Sequence, residues 1–270
     1  KKYINNNLSG FDLLKDRKKV LSFNPSREYV TIGIPSALHL YEDVPMWKYF
    51  FDQLSVKTMT SEPYTEAVKE GKRMAGAAFC APMTVLHGHV KYLLDRADYV
   101  FMPFYLEKKQ DDKNVRRQFC YYTQFSSSLV SNISPIENSN RFLMPLVNYL
   151  YNPIYTKTQL YKALKPVINH NISYFEVSAA YDKALAYKES CSLTLKEMYR
   201  RETISADDIN VVFIGRPYSI LPSSMNSGIP GIFASLGIKT FYQDMLSYTR
   251  EDVESIEPLC NELPWHYASE

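Results

Sequence analysis

Tyr29-Val30-Thr31-Ile32-Gly33-Ile34-Pro35 is followed at a short distance by Val44 to Leu54, in which Trp47, Phe50, Phe51 and Leu54 recur at helical spacing. The first run is apolar and β-branched and is stopped by a proline, which predicts a strand. The second predicts an amphipathic helix. A further strand-length run, Lys57 to Thr60, comes next. Strand, helix and strand in that order form the unit from which parallel sheets are wound. Tyr64 to Gly71 then predicts a short helix, and Pro82 to Ala97 a longer one with Val85, Val90, Leu93 and Leu94 on its apolar face. Tyr99-Val100-Phe101-Met102 predicts a strand closed by Pro103.

The alternation resumes in the second half. Arg141 to Val147 reads as a strand and Lys157 to Ile168 as a helix. Phe175 to Arg201 is a long helical stretch ending in Lys196, Arg200 and Arg201, where the helix dipole favours cations. Asn210 to Ile214 is the clearest strand; Ile229 to Leu236 is a short helix capped by Gly237, and Lys239 to Tyr242 a strand. The expected fold is α/β: two Rossmann-like units with mostly parallel sheets and a cleft between them. An N-terminal segment, 1–27, precedes a first unit at 28–135 and a second at 136–270, divided near Ser131 to Asn140, where Ser, Asn and Pro cluster. Glu107 to Arg117 is a loop of mixed charge and reads as solvated surface.

Composition narrows the function. Lys plus Arg number 31 against 29 acids, so the basic footprint of a nucleic-acid binder is absent. No apolar run reaches the length of a membrane helix. With only 9 glycines, the chain carries neither G-x-G-x-x-G nor G-x-x-x-x-G-K-[ST], which argues against a standard dinucleotide or P-loop site. The four cysteines, at 80, 120, 191 and 260, form no C-x-x-C pair and no signal peptide opens the chain, so a reducing cytoplasm is expected. The sequence opens on Lys1, and the helix start after Pro264 has no room to continue before Glu270. Both ends look cut, and the expectation is a fragment whose second unit is truncated at its C-terminal end.

Cys80-Ala81-Pro82 stands just before a helix, where the dipole and free N–H groups stabilise a thiolate. Cys120 follows the Tyr99 to Met102 strand and its loop, so both thiols could emerge at the carboxyl edge of one sheet and share an iron–sulfur site. The competing reading is that they are buried small hydrophobes. Cys191, inside the long helix, reads as structural, and Cys260 is left open. His87 and His89 are two apart on a helix and point to different faces, so capping, core or hydrogen-bonding roles are expected rather than a joint metal site. Gly215-Arg216-Pro217-Tyr218 follows the Val211 to Ile214 strand, and Asn226-Ser227-Gly228-Ile229-Pro230 resembles a helix start. Arg216 and Asn226 could hold an acidic ligand or order a loop. Alternatively, Arg216 ties down loop carbonyls or an acid such as Asp244, and Asn226 is an N-cap.

In combination these stretches resemble a known family. Ile32-Gly33-Ile34-Pro35 with Leu38, Tyr41-Glu42-Asp43, Trp47 and Phe50-Phe51 looks like the opening motif of the DUF2229 family, the acyl-CoA dehydratase activase-related group. That group is similar to the D component of 2-hydroxyglutaryl-CoA dehydratase. Phe79-Cys80-Ala81-Pro82, His87-Gly88-His89-Val90 and Cys120-Tyr121-Tyr122-Thr123-Gln124 continue the resemblance. Gly215-Arg216-Pro217-Tyr218, Met225-Asn226 and Gly228-Ile229-Pro230 extend it, so that it covers roughly Tyr29 to Glu270. The chain most resembles the long bacterial CoA-substrate-specific enzyme activases, in which this region follows ATPase domains.

The resemblance implies anaerobic redox chemistry around a [4Fe–4S] cluster, with Cys80 and Cys120 as ligands. A further family cysteine falls beyond the Trp265-His266-Tyr267-Ala268 segment, where this chain stops. The cluster is accordingly expected in the full-length protein and not in this fragment, which alone should be inactive. Ser36 and Thr84 stand where many relatives carry Arg and Lys, and Tyr121 where they carry Pro. Dehydratase activity is therefore less expected than an electron-handling or accessory role. The implied partners are the ATPase domains of the same long chain and a dehydratase or small acyl-CoA substrate. The alternative is a non-catalytic docking domain that retains the fold.

Overall fold

In a computed structural model of the chain, the described residues are 13–21, 30–107, 118–133, 140–147, 152–168, 171–203, 209–223, 225–249 and 251–252. The fold is α/β, and every pairing between its strands is parallel. β1 (Thr31–Ile34) lies between β2 (Lys57–Thr60) and β3 (Tyr99–Phe101), and β5 (Phe142–Leu143) completes a sheet of order β2-β1-β3-β5. Val100 pairs with Phe142 and Phe101 with Leu143.

The strand expected to end at Pro103 resumes beyond it as β4 (Phe104–Tyr105), and the single strand expected over Arg141 to Val147 splits into β5 and β6 (Leu146–Val147). β4 pairs with β6, Phe104 opposite Leu146 and Tyr105 opposite Val147. The two chains break at the same register, at Met102-Pro103 and Met144-Pro145. Neither proline has an N–H for the ladder, so regular pairing lapses. The Met102 N–H donates to the Leu143 carbonyl at 2.8 Å, and Phe104 N–H to the Pro145 carbonyl at 2.9 Å, which holds the strands together across the gap. Part of the expected boundary at Ser131 to Asn140 lies outside the described residues. The strands on either side of it pair with each other.

The chain divides into two compact units, one built from residues within Pro25–Leu185 and the other from Ala186–Ser247 with the N-terminal helix. In the first, α2 (Leu40–Gln53) packs Trp47, Phe50 and Phe51 against the sheet, all fully buried. The helix begins a turn earlier than the expected Val44, and that turn carries Glu42 and Asp43, which its dipole favours. Tyr181, from the first part of α8 (Tyr174–Glu202), stacks on Trp47 at 6.1 Å. The Lys157–Ile168 helix is α7 (Pro153–Leu164), started by Asn152, whose side chain accepts from the Ile154 N–H.

α3 (Ala67–Met74) and α4 (Ala81–Leu94) meet backbone to backbone. A Cβ on Gly88 would stand 2.0 Å from the Ala67 carbonyl oxygen, and one on Gly71 would stand 1.9 Å from that of Thr84. Only glycine at both positions permits this approach. The Gly of His87-Gly88-His89 is thus a packing residue.

The second unit contains a parallel pair, β7 (Asn210–Phe213) and β8 (Lys239–Tyr242), joined through α9 (Pro217–Ile220) and α10 (Ile229–Ser235). α1 (Leu13–Val20) is tied to it by Arg17, whose Nε donates to Asp244 at 3.2 Å. Among the described residues, no helix is long and apolar enough to cross a membrane.

Candidate functional site

Cys80 and Cys120 occupy the same kind of place. Each is the N-cap of a helix, Cys80 of α4 with φ −61° and ψ 153°, and Cys120 of α5 (Tyr121–Gln124) with φ −59° and ψ 153°. This extended backbone turns each carbonyl into the first helical turn. The Thr84 N–H donates to the Cys80 carbonyl and the Gln124 N–H to the Cys120 carbonyl, both at 3.0 Å. Pro82 suits the opening of α4, since the first N–H groups of a helix need no intrahelical acceptor. Cys80 is exposed and Cys120 half-buried, with its Sγ 3.3 Å from Thr123 Oγ1.

The two cysteine segments are neighbours. The rings of Phe79, immediately before Cys80, and Tyr122, two residues after Cys120, meet edge to face at 5.6 Å. Phe79 also stacks on His87 at 5.3 Å. His87 is fully buried, and its Nδ1–H donates to the Met83 carbonyl at 2.7 Å, since a carbonyl can only accept. Burial lowers its pKa. His89 faces elsewhere: its Nδ1–H donates to the Ser61 carbonyl at 3.2 Å, and burial lowers its pKa to about 4. The two histidines are not brought together.

Two thiols, one at the free N–H end of α4, have the donor chemistry that iron takes. Among the described residues, no three His, Cys, Asp or Glu side chains gather as a metal site. The cysteines therefore fit part of a cluster's ligand set, and the described residues do not complete it. Cys260 and the Trp265 to Ala268 segment lie outside the described residues. Cys191 is buried in α8, its Sγ 3.7 Å from the Val20 carbonyl, and burial pushes its thiol up.

Arg216 is the exposed N-cap of α9, and its carbonyl accepts from the Ser219 N–H at 2.7 Å. Asp244, considered above as its partner, pairs with Arg17. Asn226 is buried and orders its loop: Oδ1 accepts from the Gly228 N–H at 3.0 Å, and Nδ2 donates to the Ile220 carbonyl at 3.2 Å. The N-cap of α10 is Gly228 with φ 71°, a left-handed backbone that glycine adopts freely.

Sequence reasoning missed a buried polar group between α2 and β4. Trp47 Nε1–H donates to Tyr105 Oη at 2.8 Å, and the Tyr105 hydroxyl donates to Asp43 Oδ2 at 2.7 Å. The His39 ring packs on Tyr105 at 4.7 Å and on Phe119, the residue before Cys120, at 6.4 Å. Burial lowers the His39 pKa to about 4, outweighing the Asp43 carboxylate and the Pro103 carbonyl. The available signal was a histidine in the short loop after a strand, immediately ahead of a helix with a wide apolar face.

The family model for the CoA enzyme activase uncharacterised domain (DUF2229) matches residues 31–246, well over half of the chain. No curated protein and no solved structure matches it.

Proposed function

Because the chain belongs to the DUF2229 family of CoA enzyme activase domains, we propose that it serves the activation of CoA-substrate enzymes as an iron–sulfur electron-transfer module. The observation that carries this reading is the matched pair of N-cap cysteines, Cys80 and Cys120, on segments joined by Phe79 and Tyr122. In this proposal the two thiolates are ligands of a [4Fe–4S] cluster, and the remaining ligands come from outside the described residues. A bound cluster would supply one-electron transfer. The partners proposed are ATPase domains of the same long chain and a dehydratase or small acyl-CoA substrate. Arg216 would meet the acidic group of such a substrate, so Arg216→Ala should weaken its binding about tenfold to a hundredfold with the fold intact.

A second reading is a docking domain without a cluster. It is favoured by Tyr121 and Phe125, 65% and 50% exposed beside Cys120, large aromatics of the kind that line protein contacts. Anaerobic reconstitution of the full-length protein with iron and sulfide separates the two. The module reading expects bound iron and sulfide with thiolate-to-iron absorption, reduced in Cys80→Ser and in Cys120→Ser. Iron binding unchanged in the double variant would remove the ligand assignment. No binding by the parent protein would leave the docking reading.

A further inference from the structure

β1 lies inside the sheet, with β2 on one side and β3 on the other. The chain leaving β1 thus diverges from the chain leaving β3. Open α/β sheets take ligands at the carboxyl ends of strands that diverge in this way. Two independent features mark this edge.

The first is Leu38, in the loop between β1 and α2, which is 3% exposed and has φ 49°. A bulky residue in the left-handed region is strained and persists where its surroundings hold it, most often at functional sites. The second is a set of buried polar atoms that make no hydrogen bond of good geometry: Ser36 Oγ, Glu107 Oε2 and both ring nitrogens of His39, whose ring has the Pro103 carbonyl beside it. Buried polar groups are paired in the great majority of cases, so each of these needs an explanation. Ser36 and His39 follow β1. Glu107 lies two residues beyond Tyr105, the residue on which His39 packs, and side chains two apart on extended chain share a face.

The chemistry of these groups selects the ligand. A neutral imidazole offers one donor and one acceptor, and a hydroxyl offers both. Glu42 and Asp43 already occupy the first turn of α2, and with Glu107 they disfavour an anion at its N-terminus. We propose that the edge between β1 and β3 binds an uncharged ligand group with its own donor and acceptor, a hydroxyl or primary amide, with His39, Ser36 and Glu107 as partners. This inference rests on the fold and not on the cysteine assignment.

The test is a titration of the 15N-histidine-labelled chain with acetamide, with inorganic phosphate as the contrast. The His39 ring signals should shift to saturation with acetamide and stay unmoved by phosphate. His39→Phe should fold with a melting temperature at or above the parent's, and the saturable response, read at Tyr105 in chains labelled at tyrosine, should be present in the parent and vanish in the variant. Should that variant fail to fold, Glu107→Gln must weaken acetamide several-fold. A non-saturating acetamide response, saturation by phosphate, or an unchanged response in Glu107→Gln overturns the proposal. Because iron plays no part in this titration, its outcome is separate from that of cluster reconstitution.

Discussion

Phe79 and Tyr122 meet edge to face with centroids 5.6 Å apart, and this contact joins two cysteine-bearing segments whose cysteines are forty positions apart in the chain. An aromatic pair of this geometry contributes about 0.5–1.5 kcal/mol beyond its buried area. Tyr122→Ala should therefore lower the melting temperature by only a few degrees while loosening both segments. The sensitive measurement is thiol alkylation by a maleimide, which should become faster at Cys120, the half-buried thiol, than at Cys80, which is already exposed. Unchanged alkylation at both would mean that the ring contact does not hold the segments.

The crossing of α3 and α4 makes a sharper claim. A methyl group on Gly88 would meet backbone at 2.0 Å, and backbone cannot move aside as a flexible side chain can. Gly88→Ala should destabilise the chain by about 3 kcal/mol or more, read by urea unfolding. Gly231, inside α10, is the control, because a Cβ there meets nothing within 4 Å. Gly231→Ala should be neutral or stabilising by up to about 1 kcal/mol. Equal effects at the two positions would refute the packing argument.

The sheet was legible in the sequence because β1, β3 and β7 are short apolar runs ended by proline or glycine, and β2 and β8 are strand-length runs that each follow a predicted helix. The halves beyond Met102-Pro103 and Met144-Pro145 were not, because a proline in one chain reads as a stop. Only the matching break in its neighbour shows that the strand resumes. The N-cap position of Cys80 followed from the proline after it, whereas that of Cys120 did not, because the four-residue α5 is too short to show a helical period. The meeting of their segments was not legible either, since it rests on Phe79 and Tyr122, which spacing cannot pair. His39 and Glu107 escaped notice because burial without a hydrogen bond of good geometry is a property of the fold alone.

In the second unit, Arg17 on α1 pairs with Asp244, just past β8, the two side chains 12% and 29% exposed. Asp244→Asn should cost about 1–2 kcal/mol, below the full value of a charge-assisted bond because Asp244 remains partly open to solvent. The loss should localise at α1, giving faster proteolysis at Arg17, Lys18 and Lys19, which form its last turn. Cleavage at an unchanged rate would show that α1 is held by other contacts.

The buried histidines make stability depend on pH in a definite direction. His39 and His89 have pKa values lowered to about 4 by burial, whereas in the unfolded chain they titrate near 6.5. Between those values the unfolded chain binds protons that the folded chain refuses, so acidification favours unfolding. Their contribution is complete above about pH 6.5 and is lost as the pH falls toward 4. By pH 5 each histidine should have removed about 2 kcal/mol, a large share of the stability of an ordinary domain. Urea midpoints measured at pH 7.5 and pH 5 test this. The parent should lose much of its midpoint, and His39→Phe should lose less, since His87 and His89, also lowered by burial, still titrate. A midpoint that does not fall between the two pH values would show that these imidazoles are not held neutral in the folded protein.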